Sequence, residues 1–232
     1  MKEGRMFGIL KKRTIQSLKI KSILRGSEEN VRKKVRIVVI DDDPMRNIFQ
    51  SLKSWGYDSA SFLPIITDVR DVEQADIVVI DIKDVGAKLE EFSKNKREGL
   101  AVVDIIKAQY PMKKVLVYSA AMAEYENDVT VRKVADGYFH RDDEPVTICK
   151  KLNKAISEMF DPVCIWSVIR ARLEKASISQ KDIEIAESQY VKLVESKRDL
   201  TAENLTGKTW RKLLPLVEDV LTVVKICCAL AV

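Results

Sequence analysis

The chain has 232 residues, of which 46% are hydrophobic, and its formal net charge at pH 7 is +5. This length and composition suit one α/β domain with a smaller appendix, and they exclude a fully disordered chain. The apolar run at residues 226–232 follows Lys225 and Asp219 too closely to leave the ~20 apolar residues that a membrane span needs. We therefore expect no transmembrane helix, no secretory signal and a cytoplasmic protein.

The positive charge is concentrated at the N-terminus. Residues 1–34 contain 11 Lys/Arg against 3 Asp/Glu, a net charge of +8, whereas the segments that follow are close to neutral or acidic. We therefore divide the chain into a basic N-terminal arm (1–34), an α/β domain (35–160) and a C-terminal region (161–232). The arm could contact nucleic acid, anionic lipid or an acidic partner, but such a tail is more often solvated or ordered by its own domain.

Strand and helix patterns alternate from residue 35 onward. The β-rich segments are residues 35–41, 57–63, 75–81, 114–119 and 137–140, and the helical segments are residues 44–55, 65–73, 100–110, 121–135 and 145–160. This alternation predicts βαβ units and a doubly wound parallel sheet of five strands. The strand segments are continuously apolar, as expected for strands that are covered on both faces.

The chain beyond residue 162 has only helical patterns. Apolar residues at helical spacing predict three helices, and Pro215 should kink or restart the last one. The sequence therefore predicts an α/β fold followed by a small all-helical C-terminal region.

Acidic residues collect where the predicted strands end. Asp41, Asp42 and Asp43 follow the first strand, and Asp81 ends the third. Ligands of open parallel sheets bind at the carboxyl ends of the strands, so these carboxylates could converge on one crevice. Like charges at such distances need a compensating cation, which favours an oxygen-ligated ion such as Mg²⁺.

Other polar groups follow the later strands. Ser119 ends the fourth strand, and His140 and Arg141 follow the fifth. Carboxylates, a hydroxyl and a guanidinium together could hold a phosphoryl group on one of the acids.

Several motifs in this order resemble the receiver domain of two-component response regulators. They are IVVIDDDP (37–44), ADIVVIDI (75–82), GLAVVDIIKAQYP (99–111), VLVYSAA (115–121) and ADGYF (135–139). The resemblance covers some 125 residues and implies a flavodoxin-like receiver fold.

The resemblance implies a role for each matching acid. Asp81 would be the phospho-acceptor that attacks the phosphohistidine of a donor kinase. Asp42 would bind Mg²⁺ directly with Asp41 supporting it, and Asp81 and the backbone carbonyl of Lys83 would complete the metal ligands.

The remaining family positions fall on three other residues. Ser119 would bond a phosphoryl oxygen, and Tyr138 would be the aromatic that changes rotamer on activation. Arg141 stands where the family has Lys, and a guanidinium differs from an ammonium in reach and planarity. The segment after Asp81, residues 82–98, also lacks the family's Met-Pro turn and is longer than its loop.

Two classes of function agree with this pattern. The protein could be a response regulator that accepts a phosphoryl group from a histidine kinase or phosphotransfer protein and signals through its helical tail. Alternatively, it could be a receiver-fold scaffold or phosphoryl reservoir without its own output. At most, its enzymatic activity would be self-catalysed aspartyl phosphorylation.

The helical tail carries a possible contact surface. Residues 208–230 contain an apolar stripe and a second set, Val220, Val223, Cys227 and Leu230, which predicts a homodimer or effector-protein contact. DNA binding through this region is not expected, because it is nearly neutral and contains no recognised DNA-binding motif.

Overall fold

The computed structural model describes residues 14–20, 22–23, 27–43, 47–81, 98–119, 135–140, 142–197, 200, 204–205 and 207–230. The strands are β1 (Ile37–Ile40), β2 (Ala60–Leu63), β3 (Ile77–Asp81), β4 (Lys114–Ser119) and β5 (Gly137–His140). The helices are α1 (Glu28–Lys34), α2 (Asn47–Ser54), α3 (Glu98–Gln109), α4 (Pro145–Met159), α5 (Pro162–Lys175), α6 (Gln180–Glu195) and α7 (Lys208–Leu230). In the described part of the chain, no helix is long and apolar enough to cross a membrane.

The five strands form one parallel sheet in the order β2-β1-β3-β4-β5. This is the strand order of the flavodoxin-like doubly wound fold. The predicted five-stranded parallel sheet and the helical C-terminal region are therefore confirmed.

Side chains alternate between two buried faces of this sheet. Ile37, Val39 and Val79 face a core that includes residues of α1, α2 and α4, which we call the α4-face core. Val38 and Val78 face a second core formed largely with α3, which we call the α3-face core. Because both faces are covered, β1, β3 and β4 are buried almost throughout, whereas the edge strands β2 and β5 are only partly buried.

One predicted helix differs from the structure. In the segment 65–73, only Val69–Val72 is helical, as a short 3₁₀ turn. The carboxylate of Asp68 accepts the N–H of Arg70 at 2.8 Å, and that of Asp71 accepts the N–H of Asp68 at 3.0 Å, so capping bonds satisfy this single turn. The helix predicted at 121–135 lies outside the described residues, except for Ala135.

The structure also contains α1, which the sequence patterns did not indicate. The hydroxyl of Ser27 accepts the N–H of Asn30 at 3.2 Å and caps the helix, and Val31 is buried in the α4-face core. A seven-residue helix with a single buried side chain has too little periodicity to stand out.

The described residues between 14 and 23 lie against the C-terminal helices. Ile15, Leu18, Ile20 and Ile23 pack on the buried cluster formed by α5, α6 and α7, which we call the C-terminal core. The N–H of Ile15 also donates to Oε1 of Glu187 at 2.7 Å. This part of the basic segment is therefore ordered by the chain's own helices.

The last helix continues through Pro215 without restarting there. Its prediction is wrong at Val220, which belongs to the predicted contact surface but is fully buried in the C-terminal core. Val220 is covered because α7 packs against α5 and α6 together. The side chains of Val223, Cys227 and Leu230 are outside the described set.

The buried side of α7 leads to a stability prediction. Leu213 is fully buried in the C-terminal core, whereas Leu216 is partly buried at its margin. Leu213→Ala should lower the free energy of unfolding by about 2–5 kcal/mol, because it leaves a cavity between helices. Urea denaturation should show a clearly smaller loss for Leu216→Ala, and equal losses would contradict this packing.

Candidate functional site

The strand order brings the carboxyl ends of β1, β3 and β4 next to one another. Asp41 directly follows β1, Asp81 is the last residue of β3, and Ser119 is the last residue of β4. In the register of the sheet, Ile40 lies opposite Ile80, and Asp81 lies opposite Tyr118. The predicted acids and the predicted hydroxyl residue therefore lie at the same edge of the sheet.

Three carboxylates converge at this edge. One oxygen from each of Asp41, Asp42 and Asp81 lies within 4.8 Å of the other two. Asp41 and Asp81 are 0% and 2% exposed, whereas Asp42 is exposed to solvent. Three negative charges at this separation repel one another, and burial weakens the screening by water.

This set of donors fits a hard divalent cation. Carboxylate oxygens are the ligands that Mg²⁺ prefers, and Mg²⁺ sites use few carboxylates and retain several waters. Two buried oxygens and one exposed oxygen give a site that is fixed on the sheet side and open on the solvent side.

The carboxylate of Asp41 is fixed from two directions. Its Oδ1 accepts the backbone N–H of Asp43 at 3.0 Å, and its Oδ2 accepts a hydrogen bond from the hydroxyl of Tyr118. Hydrogen bonds to both oxygens offset part of the cost of burying this carboxylate. They also restrict the rotation of the carboxylate.

No pattern in the sequence indicated that Tyr118 belongs to the site. Its ring is buried and stacks on Phe139 of β5, with centroids 5.6 Å apart and planes inclined by 12°. A tyrosine within a continuously apolar strand looks like an ordinary core residue. The one signal in the sequence was the position of Tyr118, whose polar hydroxyl comes one residue before Ser119 at the strand end.

Ser119 lies at the same edge, at the end of β4, whereas Tyr138 lies within β5, opposite Val117. Ser119 is 2% exposed and pairs with His140 of β5. Tyr138 is partly buried and packs against the α3-face core, with Nζ of Lys151 at 5.9 Å from its ring centroid. Ser119 is thus on the strand next to β3, whereas Tyr138 is two strands away from β3.

Two predicted site residues and one segment cannot be placed. Lys83 and Arg141 lie outside the described residues, as does the loop 82–97. Glu98, which was assigned to this loop, is the first residue of α3.

Acids at the opposite edge of the sheet have a structural role. Asp76 forms an ion pair with Arg36 at 2.8 Å, and Asp136 lies 2.7 Å from Nζ of Lys107. Lys114 Nζ lies 3.4 Å from Asp136 and 2.8 Å from Glu158. Burial alone would lower the pKa of Lys114, but its acidic neighbours outweigh burial and raise this pKa. These ion pairs connect the amino ends of the strands with one another and with α3 and α4.

No family model matches the sequence, and no curated protein matches it. Solved structures do match. A CheY-like receiver domain from Methanospirillum hungatei is 21% identical, with 54% of this chain and 95% of that chain covered and a TM-score of 0.43. A receiver domain from Clostridium thermocellum is 20% identical, with 52% and 93% covered and a TM-score of 0.42.

A response regulator from Thermotoga maritima, solved in complex with Mg²⁺-BeF, is 22% identical, with 52% of this chain and 98% of that chain covered and a TM-score of 0.41. Many of the structural neighbours are response regulator receiver domains, and they cover about half of the chain. The flavodoxin-like fold that the sequence motifs implied is shown by the strand order itself.

The carboxylate cluster predicts that Mg²⁺ stabilises the folded chain. A ligand that binds only the native state adds about 2.7 kcal/mol of stability at a hundred times its dissociation constant. Mg²⁺ should raise the thermal unfolding midpoint of the wild type and raise that of Asp42→Asn much less. Asp58→Asn, an exposed change ahead of β2 at the other edge, is the control and should respond like the wild type. The same Mg²⁺ response in all three proteins would contradict the site.

Proposed function

We propose that this protein is a response regulator of a two-component phosphorelay, which accepts a phosphoryl group on Asp81 in a Mg²⁺-dependent reaction. The observation that carries the proposal is the convergence of Asp41, Asp42 and Asp81 within 4.8 Å at the carboxyl edge of the sheet. The fold alone would not support it, because one fold serves many functions.

Asp81 is the best acceptor among the three acids. It ends β3, the central strand of the sheet, with Asp41 after β1 on one side and Ser119 at the end of β4 on the other. Asp41 follows β1, and its oxygens accept hydrogen bonds from Tyr118 and Asp43, which suits a carboxylate that supports the metal. Asp42 lies beyond the strand end and is exposed, so it suits a metal ligand better than an acceptor.

The reaction follows from this placement. An Asp81 oxygen forms a bond to phosphorus while the P–N bond of the donor phosphohistidine breaks. The imidazole nitrogen retains the electron pair and takes up a proton. In such transfers, the protein contributes mainly positioning and charge stabilisation.

Each neighbouring residue has a part in this scheme. Asp41, Asp42 and Asp81, with the backbone carbonyl of Lys83, would hold Mg²⁺. When bound, the ion supplies positive charge that offsets the carboxylates and the phosphoryl oxygens. The Ser119 hydroxyl would donate to a phosphoryl oxygen.

The helical region is the proposed output of the protein. Its contact with an effector or a second copy would use the solvent side of α7, because the other side packs in the C-terminal core. On that solvent side, Arg211, Lys212, Pro215 and Glu218 are exposed. Over residues 208–221, a contact would therefore be largely polar.

Phosphorylation of Asp81 gives the direct test. Incubation with a small-molecule phosphodonor and Mg²⁺ should add the mass of one phosphoryl group, because Asp81 is the acid flanked by both the other carboxylates and Ser119. Asp81→Asn should abolish the gain, and Asp58→Asn should keep it. A wild-type chain that gains no mass, and binds no fluoride mimic of phosphate, would favour the scaffold function instead.

Arg141 should supply the positive charge that the resemblance assigns to the position after β5. Arg141→Ala should shorten the lifetime of the phosphorylated form, because a charge-assisted hydrogen bond to the phosphoryl group is lost. The matched control is Lys133→Ala, which removes one positive charge elsewhere. The lifetime of each phosphorylated variant is measured by intact mass at successive times. Equal lifetimes of the two variants would show that Arg141 is not part of the site.

A further inference from the structure

The hydrogen bond between Tyr118 and Asp41 lies at the centre of the carboxylate cluster. The Tyr118 hydroxyl donates to Oδ2 of Asp41, and both side chains are at most 1% exposed. The opposite oxygen, Oδ1, accepts the N–H of Asp43. A backbone donor and a side-chain donor therefore both help to orient this carboxylate.

The Tyr118 ring is itself fixed by the sheet. It faces the α4-face core on β4, and it stacks at 5.6 Å on Phe139 of the neighbouring strand β5. Phe139 is fully buried in the same core. Moving the hydroxyl would require the ring to leave a packed stack, so Tyr118 is a rigid donor.

A rigid donor to a metal-binding carboxylate affects the affinity of the site. Groups that hydrogen-bond to a metal ligand orient it, and their loss typically weakens metal binding about 10–100-fold. The position of an Mg²⁺ ligand is important because this ion demands nearly ideal octahedral geometry.

We propose that Tyr118 is a positioning residue of the Mg²⁺ site, with its hydroxyl orienting Asp41 and its stack on Phe139 tying that orientation to β5. This inference depends on the proposed function, because it assumes that Asp41 belongs to a metal site. It adds a residue outside the carboxylate set, on a strand that the acids do not occupy.

A second buried tyrosine supplies a matched control. Tyr57 is also fully buried in the α4-face core, and its hydroxyl donates to Oδ1 of Asn153 at 3.0 Å. Burial raises the pKa of Tyr57 to about 12, so its hydroxyl remains a donor at neutral pH. Tyr57 precedes β2 and thus lies near the opposite edge of the sheet.

The test compares Tyr118→Phe with Tyr57→Phe in the full chain, using calorimetric titration with Mg²⁺. Both changes keep a buried ring and remove a buried hydroxyl, so we expect both variants to fold and to lose similar unfolding free energy. Tyr118→Phe should raise the dissociation constant for Mg²⁺ about tenfold. Tyr57→Phe should leave it close to that of the wild type.

A second measurement separates positioning from general stability. The Mg²⁺ concentration that gives half the maximal rate of Asp81 phosphorylation should rise in Tyr118→Phe, while the rate at saturating Mg²⁺ changes much less. If the wild type binds Mg²⁺ and Tyr118→Phe binds it with the same affinity, this inference is wrong while the proposed function stands. Absence of Mg²⁺ binding by the wild type would overturn the proposed function and this inference with it.

Discussion

The structure depends on bringing negative charge together at one edge of a parallel sheet. Because β1 and β3 are adjacent and parallel, the acids that follow them meet with their oxygens within 4.8 Å. Two of these carboxylates, Asp41 and Asp81, are buried, where charge is costly unless hydrogen bonds or a cation compensate it. The donors from Tyr118 and Asp43 offset part of this cost, and an Mg²⁺ ion would offset more. The repulsion among these carboxylates is therefore what a bound cation would relieve.

The sheet remains stable despite the buried carboxylates because its two faces are covered by separate cores. The strand residues alternate between the α4-face core and the α3-face core, so the strand ends are rigidly placed. At the other edge, ion pairs such as Arg36 with Asp76 satisfy the acids near the strand starts. Polar groups therefore have opposite roles at the two edges. They stabilise the fold at the amino edge and form the candidate site at the carboxyl edge.

Most of the sheet and the three acids could be predicted from the sequence, because both depend on short local patterns. A continuous β-branched run such as Ile77–Asp81 identifies a buried strand, and an acid at its end must lie at the ligand-binding edge. The contact of Tyr118 with Asp41 could not be predicted, since it depends on side-chain positions across strands that are 77 residues apart in sequence. The burial of Val220 was missed for a related reason. A helical wheel shows which residues share a face, but not how many neighbouring helices cover it.

The position of the tail shows what kind of coupling the fold permits. Met112, in the turn before β4, belongs to the C-terminal core, and the N–H of Ile23 donates to the carbonyl of Phe160 at the end of α4. These contacts are at the amino edge of the sheet, whereas Asp81 is at the carboxyl edge. A parallel strand rises about 3.3 Å per residue, so the length of β4 separates the two edges by roughly 16 Å. In the described part of the chain, a change at Asp81 would therefore have to cross the sheet to reach α5–α7. The elements between them are the strands, α4, and α1, which packs in the α4-face core and contacts α7.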